Sequence, residues 1–164
     1  FNMANVSDSL FLRKVTTADE KLLLFWANDS ETRKWSFNSN AIVPSEHKKW
    51  FKSKLNSPNV LMLILEYENR PAGLVRLEKE GNEVVLNYLI APDERGQGLA
   101  SKMLAMAMDM KEDYWGNIKV LAYTLPENIA SIRSLEKTGF TLSNTNEGKN
   151  CYELNKDKII NITG

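Results

Sequence analysis

"NYLIAPDERGQGLASKML", Asn87–Leu104, joins an apolar stretch to a helical one through a loop that carries an arginine and two glycines. The run "EVVLNYLI" that ends in it reads as a strand, and "GLASKMLAMAMDMKE" after it reads as a long helix. A strand that turns into a helix in this way leaves unpaired N–H groups aimed at the loop. Helix N-termini attract anions through those donors and through the macrodipole. Gly96 and Gly98 let bare backbone approach such a group, Arg95 adds a positive charge, and Ala100 stays small where the helix must pack closely. A pyrophosphate fits these features, and a plain tight turn with a helix cap is the competing reading of so short a pattern. No Gly-Lys-Ser/Thr follows, so this is not a Walker loop, and the third glycine of a dinucleotide fingerprint is missing.

Working outward, "VLMLILEY" and "GLVRLE" read as strands joined by the turn Glu68-Asn69-Arg70-Pro71, and Gly81-Asn82 marks a hairpin turn into "EVVLNYLI". Further upstream, "LFLRKV" reads as a first strand. Thr17 with Glu20 forms a capping-box pattern at the head of "TADEKLLLFWAND". The polar, aromatic-rich stretch that follows has no clean period. Pro44-Ser45 then opens a helix, "SEHKKWFKSKL", with Ser45 expected as its N-cap. Downstream come a strand "IKVLAY", a helix "NIASIRSLEKT" and strands around "FTLSN" and "NCYELN". This βααβββαβαββ order predicts an α+β fold, a mixed and mostly antiparallel sheet of about seven strands flanked by four helices.

The totals bound the function classes. At 164 residues the chain is expected to form one domain over residues 1–164, with a core over about 10–155. Net charge is zero, with 21 basic and 21 acidic residues, so no nucleic-acid partner is expected. The longest apolar run, Val60–Leu65, falls far short of a membrane span of ~20 residues, so no membrane partner is expected either. The opening "FNMANVSDSLF" lacks the basic region and apolar core of a secretory signal. The single cysteine, Cys151, fits a reducing compartment, and a cytoplasmic location is expected. No His/Cys/Asp/Glu group has metal-ligand spacing, so no metal is expected.

Two motifs carry a resemblance. Arg95-x-x-Gly98-x-Ala100, preceded by "YLIAP", resembles the pyrophosphate signature of the GNAT superfamily of acetyl-CoA-dependent N-acetyltransferases. "LPENIASIRSLEKTGF", Leu125–Phe140, resembles that superfamily's second segment, Asn-x-x-Ser followed by Glu-Lys-x-Gly-Phe. The resemblance covers roughly residues 10 to 155. It implies a GNAT fold with a V-shaped splay between strands 4 and 5, where the cofactor's pantetheine arm lies. It places Leu89 and Ile90 beside that arm, pairing with it through their backbone. Arg95, Gly96, Gln97, Gly98, Leu99, Ala100 and Ser101 would hold the pyrophosphate, and Asn128 and Ser131 would touch the arm from the facing helix.

The implied chemistry is attack of a neutral amine on the acetyl-CoA thioester. It needs a deprotonated amine, a donor for the oxyanion and a proton for the leaving thiolate. A backbone N–H near Leu89 would serve the oxyanion. Many members of the superfamily place a tyrosine just before the Glu-Lys-x-Gly-Phe run as general acid, and here that position is Leu135. Replacement candidates are Tyr88, Tyr123, Tyr152 and the one histidine, His47. Strand alternation puts Asn87 and Leu89 on one face and Tyr88 and Ile90 on the other, and leaves open which face meets the acceptor. The catalytic candidates are therefore His47, Asn87, Tyr88 and Leu89. His47 shares a helix face with Trp50 and Phe51, where it is either a packed histidine or a base for the ammonium proton.

The segment from Trp26 to Phe51 also resembles a narrower branch, the N-acetyltransferases of nucleotide-linked amino sugars in pseudaminic-acid and related nonulosonic-acid biosynthesis. The matching positions include Trp26, Asn28, Arg33, Ser36, Asn38, His47, Trp50 and Phe51. Amides, hydroxyls, arginines and stacking aromatics suit a sugar nucleotide. Arg33 or Arg76 would meet its diphosphate. The expected activity is acetyl transfer from acetyl-CoA to a primary amine on such a sugar, with a homodimer left open. Rival readings are a protein or peptide amine acceptor of the ribosomal-protein type, and a catalytically silent CoA-binding module.

Overall fold

The computed structural model describes residues 9–155. Residues 1–8, most of the stretch read for a targeting signal, lie outside them. Seven strands form one sheet: β1 (Leu10–Lys14), β2 (Val60–Tyr67), β3 (Arg70–Glu80), β4 (Glu83–Ile90), β5 (Lys119–Thr124), β6 (Thr141–Asn146) and β7 (Lys149–Leu154). Their order across the sheet is β1-β2-β3-β4-β5-β7-β6. Every pairing is antiparallel except that of β4 with β5. The helices are α1 (Glu20–Ala27), α2 (Ser30–Lys34), α3 (Pro44–Leu55), α4 (Leu99–Trp115) and α5 (Ile129–Thr138). The α+β expectation holds, with one helix more than the four expected.

Both faces of the sheet are covered, so β2 and β3 read as nearly unbroken apolar runs rather than alternating ones. On one face Leu63, Leu65, Val75, Leu77, Val84 and Leu86 pack against Met103, Leu104, Ala107 and Met108 of α4 and Leu135 of α5. On the other, Met62, Ile64 and Leu74 pack against Leu23 and Trp26 of α1 and Phe51 of α3. Burial of such side chains contributes roughly 1.5–3 kcal/mol each before the ordering cost is subtracted.

Helix starts depart from the expectation by one or two residues. The capping box lies at Thr16 and Asp19, not Thr17 and Glu20: the Thr16 N–H donates to Asp19 Oδ2 at 2.7 Å. Asp19 then accepts two hydrogen bonds from Arg13, at 2.9 and 2.8 Å, which ties the helix entry to β1. For α3 the N-cap is Val43 and not Ser45, because Pro44 takes the first helical position, where its missing N–H costs nothing. The extra helix, α2, is only five residues long. It is made by its N-cap, Asp29, whose side chain accepts from the Thr32 N–H at 3.2 Å. So short an element shows no period in the sequence, because one turn has no repeat.

The pairing of β4 positions the functional site. Against β3 its register is continuous from Glu80↔Glu83 to Gly73↔Ile90. Against β5 it stops at Leu86↔Ala122, leaving the last four residues of β4 without a partner on that side. The sheet is therefore split like a V, closed at Leu86 and open toward the loop after Ile90.

Candidate active site

The split is lined by Leu86, Tyr88, Leu89 and Ile90 from β4 and by Ala122 and Thr124 from β5, and its cleft encloses about 500 Å³. Its open end is the loop Arg95–Gly98, followed by the N-terminus of α4. Gly98 is the N-cap with φ +73°, and Gly96 has φ +80°. A Cβ at either would meet nothing within 4 Å, so conformation and not crowding requires glycine there. A glycine cap offers no side-chain acceptor, and the first N–H groups of α4 point into the mouth of the cleft without one. The loop is braced from below. The buried Glu94 carboxylate accepts from Arg70 Nε at 2.6 Å and Nη2 at 3.0 Å, and from Gln97 Nε2 at 3.0 Å. Hydrogen bonding to Arg70 holds Glu94 below the usual carboxylate range.

Gln97, expected to contact the cofactor, thus spends its side chain on the loop itself. Arg95 turns the other way: its Nη2 bonds Asp29 Oδ2 at 2.7 Å and Thr32 Oγ1 at 3.2 Å, linking the loop to α2. Arg95, Gly96, Gly98, Leu99 and Ala100 line the cleft, whereas Ser101 and Gln97 do not. Asn128 and Ser131 line it from the start of α5, with Asn128 capping the helix by accepting from the Ser131 N–H at 3.3 Å.

One expectation for β4 needs correction. Ala91 N–H donates to Ala72 O at 2.8 Å, and antiparallel pairs alternate between bonded and non-bonded types. In this register Leu74–Leu89 is therefore a bonded pair, and the Leu89 N–H and C=O are spent on β3. The backbone groups that face the split belong to Tyr88 and Ile90. Side chains alternate accordingly. Asn87 and Leu89 share the α1–α3 face with Leu74 and Arg76, while Tyr88 and Ile90 share the α4–α5 face with Val75. Across the gap Tyr123 lies on the first face and Thr124 on the second.

Tyr88 Oη lies 2.8 Å from Ser131 Oγ, and burial pushes its hydroxyl above its ordinary range. Leu135 also lines the cleft and is 0% exposed, so the position often held by a tyrosine is apolar here. Tyr152 packs in the α4-side core.

His47 is 4% exposed, with Nδ1 2.7 Å from Glu20 Oε2 and its ring against Trp50 and Phe51. It joins α3 to α1 and does not line the cleft, so the expected base is a packing residue. Arg33 is likewise no free anion ligand. It donates from Nε to Ala27 O at 2.7 Å, from Nη1 to Asn38 O at 3.0 Å and Asn40 O at 3.1 Å, and from Nη2 to Ser36 Oγ at 3.1 Å. Asn28 bonds Ile42 twice, through Nδ2 to O at 3.0 Å and Oδ1 from N at 2.7 Å. Asn28, Arg33, Ser36 and Asn38 therefore shape the loop 28–42. The groups this loop presents to the cleft are Glu31, Thr32, Trp35, Ser36 and Phe37. Of these only Ser36 was expected. The others stand in the same segment, Trp26 to Phe51, but show no spacing that marks them. Trp50 and Arg76 stack at 5.0 Å, with Arg76 Nε donating to Glu78 at 2.6 Å, and neither lines the cleft.

The model of the Acetyltransferase (GNAT) domain family matches residues 9–141. The chain belongs to the GNAT acetyltransferase family. Solved structures share its fold. The aminoglycoside acetyltransferase AAC(6')-Ib in complex with ribostamycin and coenzyme A superposes with a TM-score of 0.80 at 20% identity, covering 96% of this chain and 99% of that one. Spermidine N-acetyltransferase from Vibrio cholerae, in complex with CoA and spermine, gives 0.79 at 16% identity, over 93% and 99% of the two chains. A domain from Methanocaldococcus jannaschii gives 0.78 at 22%, over 89% and 97%. No curated protein matches at a significant level. Among the described residues no helix is long and apolar enough to cross a membrane, and no cluster of metal-ligating side chains occurs.

Proposed function

We propose that this GNAT acetyltransferase moves acetyl from acetyl-CoA to a primary amine on a nucleotide-linked amino sugar. The observation that carries the cofactor part is the split after Leu86↔Ala122, opening onto a glycine-capped helix N-terminus. The pyrophosphate would lie on the N–H groups of Gly96, Gly98, Leu99 and Ala100, and the pantetheine arm along the inward-facing backbone groups of Tyr88 and Ile90. Bound there, acetyl-CoA supplies the activated acetyl group.

The chain's own residues then have separable tasks. The Tyr88 N–H donates toward the gap, in the role first given to Leu89. Tyr88 Oη, kept protonated by burial and held by Ser131, is the proton donor that Leu135 cannot be. Asn87 and Tyr123 stand on the acceptor face and orient the amine.

The acceptor class is supported by charge and shape. Trp35, Phe37 and Tyr123 offer aromatic surface, and Asn87, Ser36 and Thr32 offer polar groups. The carboxylates nearby are already engaged: Glu78 by Lys54 and Arg76, Asp29 by Arg95, and Glu31 as acceptor from Trp35 Nε1. A polycation would find few free anions here. Among the described contacts only the Nε of Arg76 is engaged by an acid, which leaves its terminal groups for a diphosphate. The test is release of free CoA with UDP-linked 4-amino-4,6-dideoxy sugars, aminoglycosides, spermidine and peptides, with mass spectrometry of the products. Turnover confined to the sugar nucleotides is expected. Turnover on peptides or polyamines would replace the acceptor assignment, and bound acetyl-CoA with no turnover would favour a silent CoA-binding module.

A further inference from the structure

Thr124 is the last residue of β5, 5% exposed, and its hydroxyl has no hydrogen-bonding partner. A buried hydroxyl left unpaired is destabilising, and a β-branched apolar residue would fill the same space without that cost. Its location gives the reason. Continuing the parallel register two residues past Leu86↔Ala122 brings Thr124 opposite Tyr88, on the same α4–α5 face and across the gap. Tyr88 Oη is held by Ser131, whereas Thr124 lines the cleft with its buried hydroxyl unbonded.

We propose that Thr124 Oγ1 is a sulfur ligand: it donates a hydrogen bond to the thiol end of coenzyme A. The inference rests on the cofactor reading above. The orientation follows from the V. The anion-binding loop is at its open end, beyond Ile90, so an arm anchored there runs toward the closed end, where the strands meet at Leu86 and Ala122. Thr124 is the first β5 residue on the α4–α5 face beyond that junction. A thiolate accepts hydrogen bonds and donates none, so a hydroxyl donor favours the ionised sulfur over the neutral one. The hydroxyl thereby stabilises the leaving group in a cleft whose α5 side offers Leu135.

The test compares wild type, Thr124→Val and Thr124→Ser by calorimetry with CoA and with desulfo-CoA, which lacks only the sulfur. Thr124→Val is expected to weaken CoA binding about three- to tenfold, more at pH 9 than at pH 7 as the thiol ionises, and to leave desulfo-CoA binding unchanged. Thr124→Ser is expected to retain most of the CoA affinity. Without ligand, Thr124→Val is expected to raise Tm by about 2–4 °C, since it removes an unpaired buried hydroxyl. Equal CoA affinity for wild type and Thr124→Val would overturn the proposal, as would an equal loss with both ligands, which would put the hydroxyl on another part of the arm. Failure of the wild type to bind either ligand would overturn the cofactor reading itself.

Discussion

In the proposed reaction the chemistry turns most directly on Gly98 and Tyr88. Gly98 adopts φ +73° at the head of α4, where an aspartate would be strained and would set a like charge against a phosphate. Gly98→Asp is expected to weaken CoA binding at least tenfold in a calorimetric titration; unchanged affinity would remove the anion from this loop. Tyr88→Phe deletes the hydroxyl bonded to Ser131 and keeps the ring. It is expected to lower kcat by about 10²-fold, the low end for a general acid because a thiol leaves easily, with CoA affinity held within twofold. A fall in affinity with unchanged kcat would make Tyr88 a wall of the cleft. These two roles differed in legibility. The glycines announced a left-handed turn because few other residues make one. Tyr88 was one of several tyrosines until the β3–β4 register fixed its face, and the spent backbone of Leu89 was invisible without that register.

Between Trp26 and Phe51 most polar side chains of the motif are engaged within the segment itself. Asn28, Arg33 and Asn38 hold a 15-residue stretch that has too few apolar residues to pack, and Ser36 both bonds Arg33 and lines the cleft. Arg33 satisfies three carbonyls and a hydroxyl from one guanidinium. Arg33→Ala is expected to destabilise the protein by about 1–3 kcal/mol in urea unfolding and to raise KM for the acceptor, with CoA affinity unchanged. If only CoA affinity changed, Arg33 would belong to the cofactor. Polar residues on a loop advertise a site or a scaffold in the same alphabet, and only their partners tell the two apart. Strands β2 to β5 and helices α4 and α5 were legible because apolar runs, turn glycines and caps agreed there. The short helix α2 and the shifted starts of α1 and α3 depended on one side chain each, Asp29, Asp19 and Pro44.

Over the whole molecule, two buried carboxylates fasten peripheral segments to the sheet. Asp19 joins the entry of α1 to β1 through Arg13, and Glu94 joins the loop before α4 to β3 through Arg70. Hydrogen bonding to these arginines holds both carboxyls below their ordinary range. A depressed folded value stabilises above the unfolded value of about 4 and is lost as pH falls through the folded one. Thermal stability is therefore expected to drop progressively below pH ~4. Asp19→Asn is expected to lower Tm at pH 7 and to flatten that acid limb; an unchanged limb would assign it to other groups. Residue-resolved amide hydrogen exchange with and without saturating CoA reads whether the V between β4 and β5 seats the cofactor. Slower exchange is expected at Tyr88, Ile90, Gly96, Gly98, Leu99 and Ala100, with Leu89 unchanged because its N–H is already bonded to β3. Protection elsewhere, with these amides exchanging as in the free protein, would contradict it.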